Sequence, residues 1–228
     1  MQNLPTAAVY QKEVQYMPWG ILVAEVENFI VKNVPKDGTV LDLLCGTGYL
    51  LVELQKKRPD IKFTGVDLES EFIDYARKEY PEIDFQVADA FTWNSDKKFD
   101  AILCTGGLHH IQYDKQREFV RKIASLIKDD GFAIVADPYI DDYSNEKERK
   151  LAAAKLGYEY LAATIKNGAT DDVTKATADL IPNDVFMVEF KTSVNKAKPY
   201  FEENFSKVEM RKTWGDGEYG DYYFILRK

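Results

Sequence analysis

Short apolar runs and amphipathic stretches take turns through the middle of the chain. Residues 39–45, 61–67, 83–88, 99–105 and 132–137 are compact apolar runs of strand length. Residues 48–57, 70–79 and 113–127 separate them with helical spacing. The first helix is closed by Arg58-Pro59, the second opens on Ser70 at an N-cap position, and the third is followed by an Asp129-Asp130-Gly131 turn. Strands spaced by helices of about 10–15 residues predict βαβ units and a parallel sheet with right-handed crossovers. On such a sheet a ligand lies beyond the carboxyl ends of the strands, near the point where strand order reverses.

The flanks keep a different pattern. Residues 18–33 place Leu22, Val26, Phe29 and Ile30 on one face of a helix. From about 139 to 195 the strand–helix rhythm stops. There, 145–166 reads as an Ala-, Lys- and Glu-rich helix stopped by Asn167-Gly168, and 171–180 as a shorter helix before Pro182. Strand character returns at 207–213 and 222–227 around Gly215-Asp216-Gly217, predicting an antiparallel hairpin at the sheet edge. The expected divisions are an N-terminal helical cap over 1–35, a core over 36–138, a helical lid over 139–195 inserted after the fifth strand, and completion of the core by 196–228.

Composition narrows the classes. A chain of 228 residues, 45% hydrophobic and 30% charged, reads as globular, with a length that suits one domain or one domain with a sub-domain inserted. A net charge of −8 argues against sequence-blind binding to nucleic acid or to an anionic membrane, and no run of 18 apolar residues exists. Two cysteines make no disulfide framework, so a reducing cytoplasm is expected. Met1 to Tyr10 lacks the basic and apolar regions of a secretory signal. Monomer and homodimer are both compatible with the sequence.

The strongest local signal is Val40-Leu41-Asp42-Leu43-Leu44-Cys45-Gly46-Thr47-Gly48-Tyr49, a buried strand entering a glycine turn with a helix starting at once. The glycines permit a tight turn and close approach of a ligand to the main chain, and the helix start offers free N–H groups. No Gly-Lys-Ser/Thr follows, which excludes an NTPase phosphate loop, and Leu51 stands where a dinucleotide fingerprint has its third glycine. Asp42 precedes the turn, and Asp67 closes the second strand about 20 residues later, where a carboxylate can accept two ribose hydroxyls.

In order and spacing, residues 40–49, Gly65-Val66-Asp67-Leu68, Ala88-Asp89-Ala90, and Phe99-Asp100-Ala101-Ile102-Leu103 through Leu108-His109-His110 resemble the motifs of class I S-adenosylmethionine-dependent methyltransferases. The resemblance covers roughly 36–138 and the final hairpin. It implies a Rossmann-like doubly wound α/β sheet of seven strands with the last antiparallel, and S-adenosyl-L-methionine as cofactor. Position by position, it implies that Gly46 and Gly48 pack on the methionine part, with Cys45 in the same turn, and that Asp42 sits near the ammonium. Asp67 would hold the ribose and Leu68 pack on adenine. Asp89 would accept from the adenine amino group with Ala90 and Phe91 nearby, and Thr105 would offer its carbonyl to the ammonium. One departure is Leu44, where the family often has glycine; leucine suits the position if it is still strand.

The chain's two histidines, His109 and His110, follow the fourth strand. An ordinary pKa of about 6.5 suits histidine to take a proton near neutral pH. Methyl transfer demands alignment first, and a base only where the nucleophile must lose a proton. Some small-molecule O-methyltransferases pair a histidine here with an acid at the end of the fifth strand, which implies a His109–Asp137 or His110–Asp137 pair. Cys45 and Cys104 read as small apolar fillers, and no residue cluster has convincing metal spacing.

Fourteen tyrosines and three tryptophans leave several aromatics outside the core, and Tyr16, Trp19, Tyr139 and Tyr143 are candidates to line a substrate pocket. An aromatic, acidic pocket suits a cationic or aromatic small molecule. The leading reading is transfer of a methyl group to oxygen, nitrogen or carbon of a small-molecule acceptor by in-line displacement. The alternatives are another transfer from the same cofactor and a non-catalytic subunit of the same fold. A nicotinamide oxidoreductase is disfavoured by the missing third glycine and by Asp89.

Overall fold

The computed structural model describes residues 7–186 and 189–228. The first six residues of the expected cap, and 187–188 of the expected insertion, lie outside the described residues. Seven strands form one sheet: β1 (Thr39–Leu43), β2 (Lys62–Asp67), β3 (Asp84–Val87), β4 (Phe99–Thr105), β5 (Ile127–Tyr139), β6 (Lys207–Trp214) and β7 (Gly220–Arg227). Their order is β3-β2-β1-β4-β5-β7-β6. The pairs from β3 through β5 are parallel, and β7 runs antiparallel to both β5 and β6.

Both faces are covered, so the strands are apolar on both sides and alternation only sorts residues between two cores. One face sends Val40, Leu103, Ile134 and Ile225 against α2 (Trp19–Asn33), α3 (Tyr49–Lys57) and α4 (Ser70–Glu79). The other sends Leu41, Ile102, Val135 and Phe224 against α5 (Tyr113–Leu126) and α8 (Val194–Glu202). A third, smaller cluster joins Met17, Ala153, Leu156 and Tyr160 where α6 (Glu146–Lys166) and α7 (Asp171–Val185) pack on each other and on α1 (Ala7–Tyr16). Among the described residues, no helix is long and apolar enough to cross a membrane.

Four local features depart from the sequence reading. The Asp129-Asp130-Gly131 turn lies inside β5, because Ile127 already pairs with Phe99 before the ladder jumps to Ala101 and Phe132. It is thus a bulge in a strand, and α5 stops at Leu126. Helix α7 continues through Pro182 to Val185. Its last turn is held from outside: buried Arg149 donates to the carbonyls of Asp184 at 2.8 Å and Val185 at 2.9 Å. Those are orphan acceptors at a helix end, and satisfying them offsets the bond that proline removes. Helices α1 and α8 were not read from the sequence; α8 is short, interrupted by Pro199, and capped by Ser193 accepting from Lys196 N–H. Finally, β1 ends at Leu43, and Leu44 leaves the strand with φ 61°. That is a left-handed backbone in which leucine costs about 1–2 kcal/mol.

Candidate active site

The strand order reverses between β1 and β4, so their carboxyl ends open a crevice. At the first, the chain turns through Gly46 and Gly48, both at positive φ, and α3 begins at Tyr49. A Cβ at position 48 would run into the Phe85 ring, so glycine is required there for space as well as for conformation. Asp42, 3% exposed, has a buried oxygen with no partner among the described residues. Burial, and then the nearby Asp67 charge, push its carboxyl up to about 8.

Asp67 closes β2 and accepts two backbone N–H groups, from Gly46 at 2.8 Å and from Glu69 at 2.9 Å. Asp89 accepts from Phe91 N–H at 2.8 Å, which leaves its other oxygen open. Burial raises the thiols of Cys45 and Cys104 well above their ordinary value, and neighbouring acids add to it, so neither is a reactive thiolate.

A cavity of about 510 Å³ starts at Gly46, Asp67, Leu68, Asp89 and Ala90 and reaches Gly106, His109 and His110. Its roof comes from α1, α6 and α7, and Trp19 at the start of α2 also lines it. Asp42, Cys45, Gly48, Phe91 and Thr105 stand behind its wall; the Phe91 ring stacks on Phe119 instead. Of the four aromatics expected to line a substrate pocket, Trp19 does so. Tyr139, 1% exposed, is packed edge-on against Tyr222 and Phe224 under the sheet. Tyr143 lies by Thr192 and under the Lys196 ammonium, and Tyr16 gives its carbonyl to the Asn167 side chain. Tyr10 and Tyr160 line the cavity in their place, with Tyr160 hydrogen-bonded to buried Asp221 on β7.

The two histidines sit on a 3-10 turn, Leu108–His110, just past β4. The register pairs Thr105 with Ala136, which places the turn beside Asp137 on β5. His109, and not His110, meets that acid: Nδ1 is 2.6 Å from one carboxylate oxygen, and the backbone N–H donates to the other at 3.0 Å. His110 opens into the cavity with its ring centroid 4.2 Å from that of His109. Burial of its ring, and then the His109 imidazole beside it, push it down to about 3, so it is neutral at ordinary pH.

The sequence does not reveal what stands at the other ring nitrogen of His109, on the cavity side. Its Nε2 is 3.7 Å from Glu189, and Glu189 shares the Lys191 ammonium with Asp184, at 2.6 and 2.5 Å. All three charges are at most 5% exposed. Burial alone would raise Glu189 and lower Lys191, but their mutual attraction outweighs it and keeps both ionised. The only local signal is the alternation Glu189-Phe190-Lys191 in an otherwise irregular stretch. Donor atoms of His109, His110 and Glu189 lie within 4.8 Å of one another. An ion there would compete with the Lys191 ammonium for the same Glu189 oxygen.

Residues 40–131 match a family described as a methyltransferase domain. The chain is 30% identical over 160 residues to a carboxy-S-adenosyl-L-methionine synthase of Campylobacter hominis, covering 63% of this chain and 65% of that one. The chain therefore spans just under two thirds of that relative's length. Among solved structures it resembles the plantazolicin methyltransferase BpumL in complex with S-adenosylhomocysteine, with a TM-score of 0.63 at 12% identity over 97% of this chain and 98% of that one. It also resembles the magnesium protoporphyrin IX methyltransferase of Synechocystis PCC 6803 with bound S-adenosylmethionine, with a TM-score of 0.59 at 14% identity over 91% of this chain and 78% of that one.

Proposed function

We propose that the chain is a class I S-adenosylmethionine-dependent methyltransferase that transfers a methyl group to a small-molecule acceptor, with His109 as general base. The observation that carries this reading is one continuous cavity bounded at one end by Asp67 and Asp89 and at the other by the Asp137-bound His109.

The residues present fit the cofactor. Asp42 has a buried oxygen awaiting a cation, and Asp67 and Asp89 have acceptor capacity left after their backbone bonds. Asp42 and the Thr105 carbonyl would hold the methionine ammonium, Gly46 and Gly48 the methionine chain, Asp67 the ribose, Leu68 and Ala90 the adenine ring, and Asp89 its amino group. When bound, the cofactor supplies a methyl carbon activated by a sulfonium for in-line displacement.

The chain's own part is alignment, exclusion of water and one proton. Helices α1, α6 and α7 cover the cavity, which lowers competition from water. Asp137 accepts a hydrogen bond from the Nδ1–H of His109, which leaves the Nε2 lone pair free for the acceptor's proton. The imidazolium that results is stabilised by Asp137 and by Glu189. Neutral His110 beside it offers a hydrogen bond to the acceptor rather than a charge.

The test is labelled-methyl transfer from S-adenosylmethionine into a cell extract, with mass spectrometry of the product. On the acceptor so found, His109→Ala is expected to lose about 10²–10⁴-fold in turnover while His110→Ala retains most of it. If both variants keep wild-type turnover from pH 6 to 9, the base assignment is wrong. A second reading, favoured by the carboxy-S-adenosylmethionine synthase relative, is that the chain builds a modified cofactor. In that case the label leaves in a heavier adenosyl sulfonium and S-adenosylhomocysteine does not accumulate.

A further inference from the structure

The acids facing the cavity are not equally provided for. Asp184 and Glu189 share Lys191, while Asp67 and Asp89 receive backbone N–H groups. Glu69 and Asp179 also line the cavity with no side-chain partner among the described residues, but both are partly exposed; Glu13 on α1 is buried. It is 9% exposed, lines the cavity, and its carboxylate has no hydrogen-bond or ion-pair partner among the described residues. Burial alone pushes it up to about 8. A desolvated carboxylate without a counter-charge is costly in the free protein. The same cost turns into affinity once a cation arrives.

Its position is set by its own helix. Tyr10 and Glu13 share one face of α1, Met17 follows just past its end, and all three line the cavity. On one side of Glu13 in the chain, the Tyr10 ring lies about 3.7 Å from where a side chain on Gly46 would begin. On the other, the Trp19 ring lies 3.1 Å from the same point on Gly106. These two anchors stretch the segment across the carboxyl ends of β1 and β4, with Glu13 in the roof between them.

The rest of the lining completes the picture. Lys191 carries the fixed positive charge among the described lining residues, and two carboxylates already neutralise it. An anionic acceptor would find no free cation. The cofactor's own ammonium already has a match in Asp42, with its open buried oxygen. In the same cavity lining, Met17, Trp19, Leu156, Tyr160 and Leu180 offer apolar and aromatic surface; they cluster with one another, and Met17 stands one helical turn past Glu13.

We propose that Glu13 is the ammonium-binding residue of the acceptor site and that the acceptor is a cationic amine with an apolar body. This deepens the methyl-transfer reading and rests on it for identifying the bound amine as the acceptor. Trp19 and Tyr160, which line the same cavity, supply aromatic surface that suits such a cation.

The experiment is calorimetric titration of the full chain saturated with S-adenosylhomocysteine, using three probes of similar shape: 3-phenylpropylamine, 3-phenylpropan-1-ol and 3-phenylpropanoate. The amine is expected to bind at least about tenfold more tightly than the alcohol, and the carboxylate more weakly than either. Glu13→Gln should bring the amine to the level of the alcohol while leaving the alcohol and S-adenosylhomocysteine unaffected. Glu13→Asp, which keeps the charge, should keep the preference and serves as the second variant if the glutamine protein does not fold. Equal binding of amine and alcohol to the wild type, failure of the amine to bind, or a preference that survives Glu13→Gln overturns the proposal. S-adenosylhomocysteine is titrated alone first. Its failure to bind rejects the methyl-transfer reading, whereas its binding without an amine preference rejects the role of Glu13 alone.

Discussion

His109 and Asp137 are joined at two points, ring to one carboxylate oxygen at 2.6 Å and backbone N–H to the other at 3.0 Å. Both residues are buried. The backbone bond fixes where the histidine stands, and the ring bond fixes which nitrogen carries the proton, so Nε2 is left as the acceptor.

Asp137→Asn separates these two functions. The amide oxygen can still accept the His109 backbone N–H, but the amide nitrogen then presents a donor to Nδ1. That favours the tautomer with its proton on Nε2, which cannot act as a base. Turnover in the labelled-methyl assay is expected to fall about 10²–10⁴-fold, with S-adenosylhomocysteine affinity by calorimetry unchanged. Unaltered turnover would remove His109 from the chemistry.

Lys191→Met tests the charge cluster beside the histidine. Asp184 and Glu189 would keep no shared counter-ion, and breaking a buried pair of this kind costs about 3–5 kcal/mol. In the variant both acids have raised folded-state pKa values. Stability contributed by such groups is present below their unfolded values and is lost as pH rises through the folded ones. Urea unfolding should therefore show a larger deficit at pH 8 than at pH 5. An equal deficit at both would mean the acids do not ionise in place.

Asp42→Asn should stabilise the protein without cofactor while weakening the cofactor site. Burial raises Asp42 to about 8, so the wild type loses stability as pH climbs from its unfolded value through about 8. Asparagine carries no charge to desolvate. The variant's melting temperature is expected to exceed that of the wild type by about 2–4 °C or more at pH 8.5, and by less at pH 5. S-adenosylhomocysteine should raise the variant's melting temperature less than the wild type's.

Gly48→Ala combines two penalties, a left-handed backbone at φ 75° and a Cβ driven into the Phe85 ring. A loss of about 2–4 kcal/mol in equilibrium unfolding is expected. Phe85→Ala in the same chain should recover the steric part and leave the backbone part, so full rescue would contradict the φ argument.

What the sequence determined by itself is whatever a few neighbouring residues can encode. Periodicity marked the strands and the helices between them, and the glycine turn with Asp42, Asp67 and Asp89 marked the strand ends. Even there, a leucine at position 44 suits a strand, yet its backbone is left-handed, because the bend begins two residues before Gly46. The tertiary structure decided everything that depends on distant segments meeting. Adjacent His109 and His110 look equivalent in sequence, and only the β4–β5 register gives Asp137 to the first. Helix α7 passes Pro182 because Arg149, on another helix, satisfies its last carbonyls. Tyr139 is lost from the cavity because β5 carries it under the sheet, and Glu13 and Lys191 enter it from segments with no strong pattern of their own. A buried charge has no local signature. Its partner or its lack of one is a property of the packed chain, and in this protein that decides which acids are neutralised and which are left without a counter-charge.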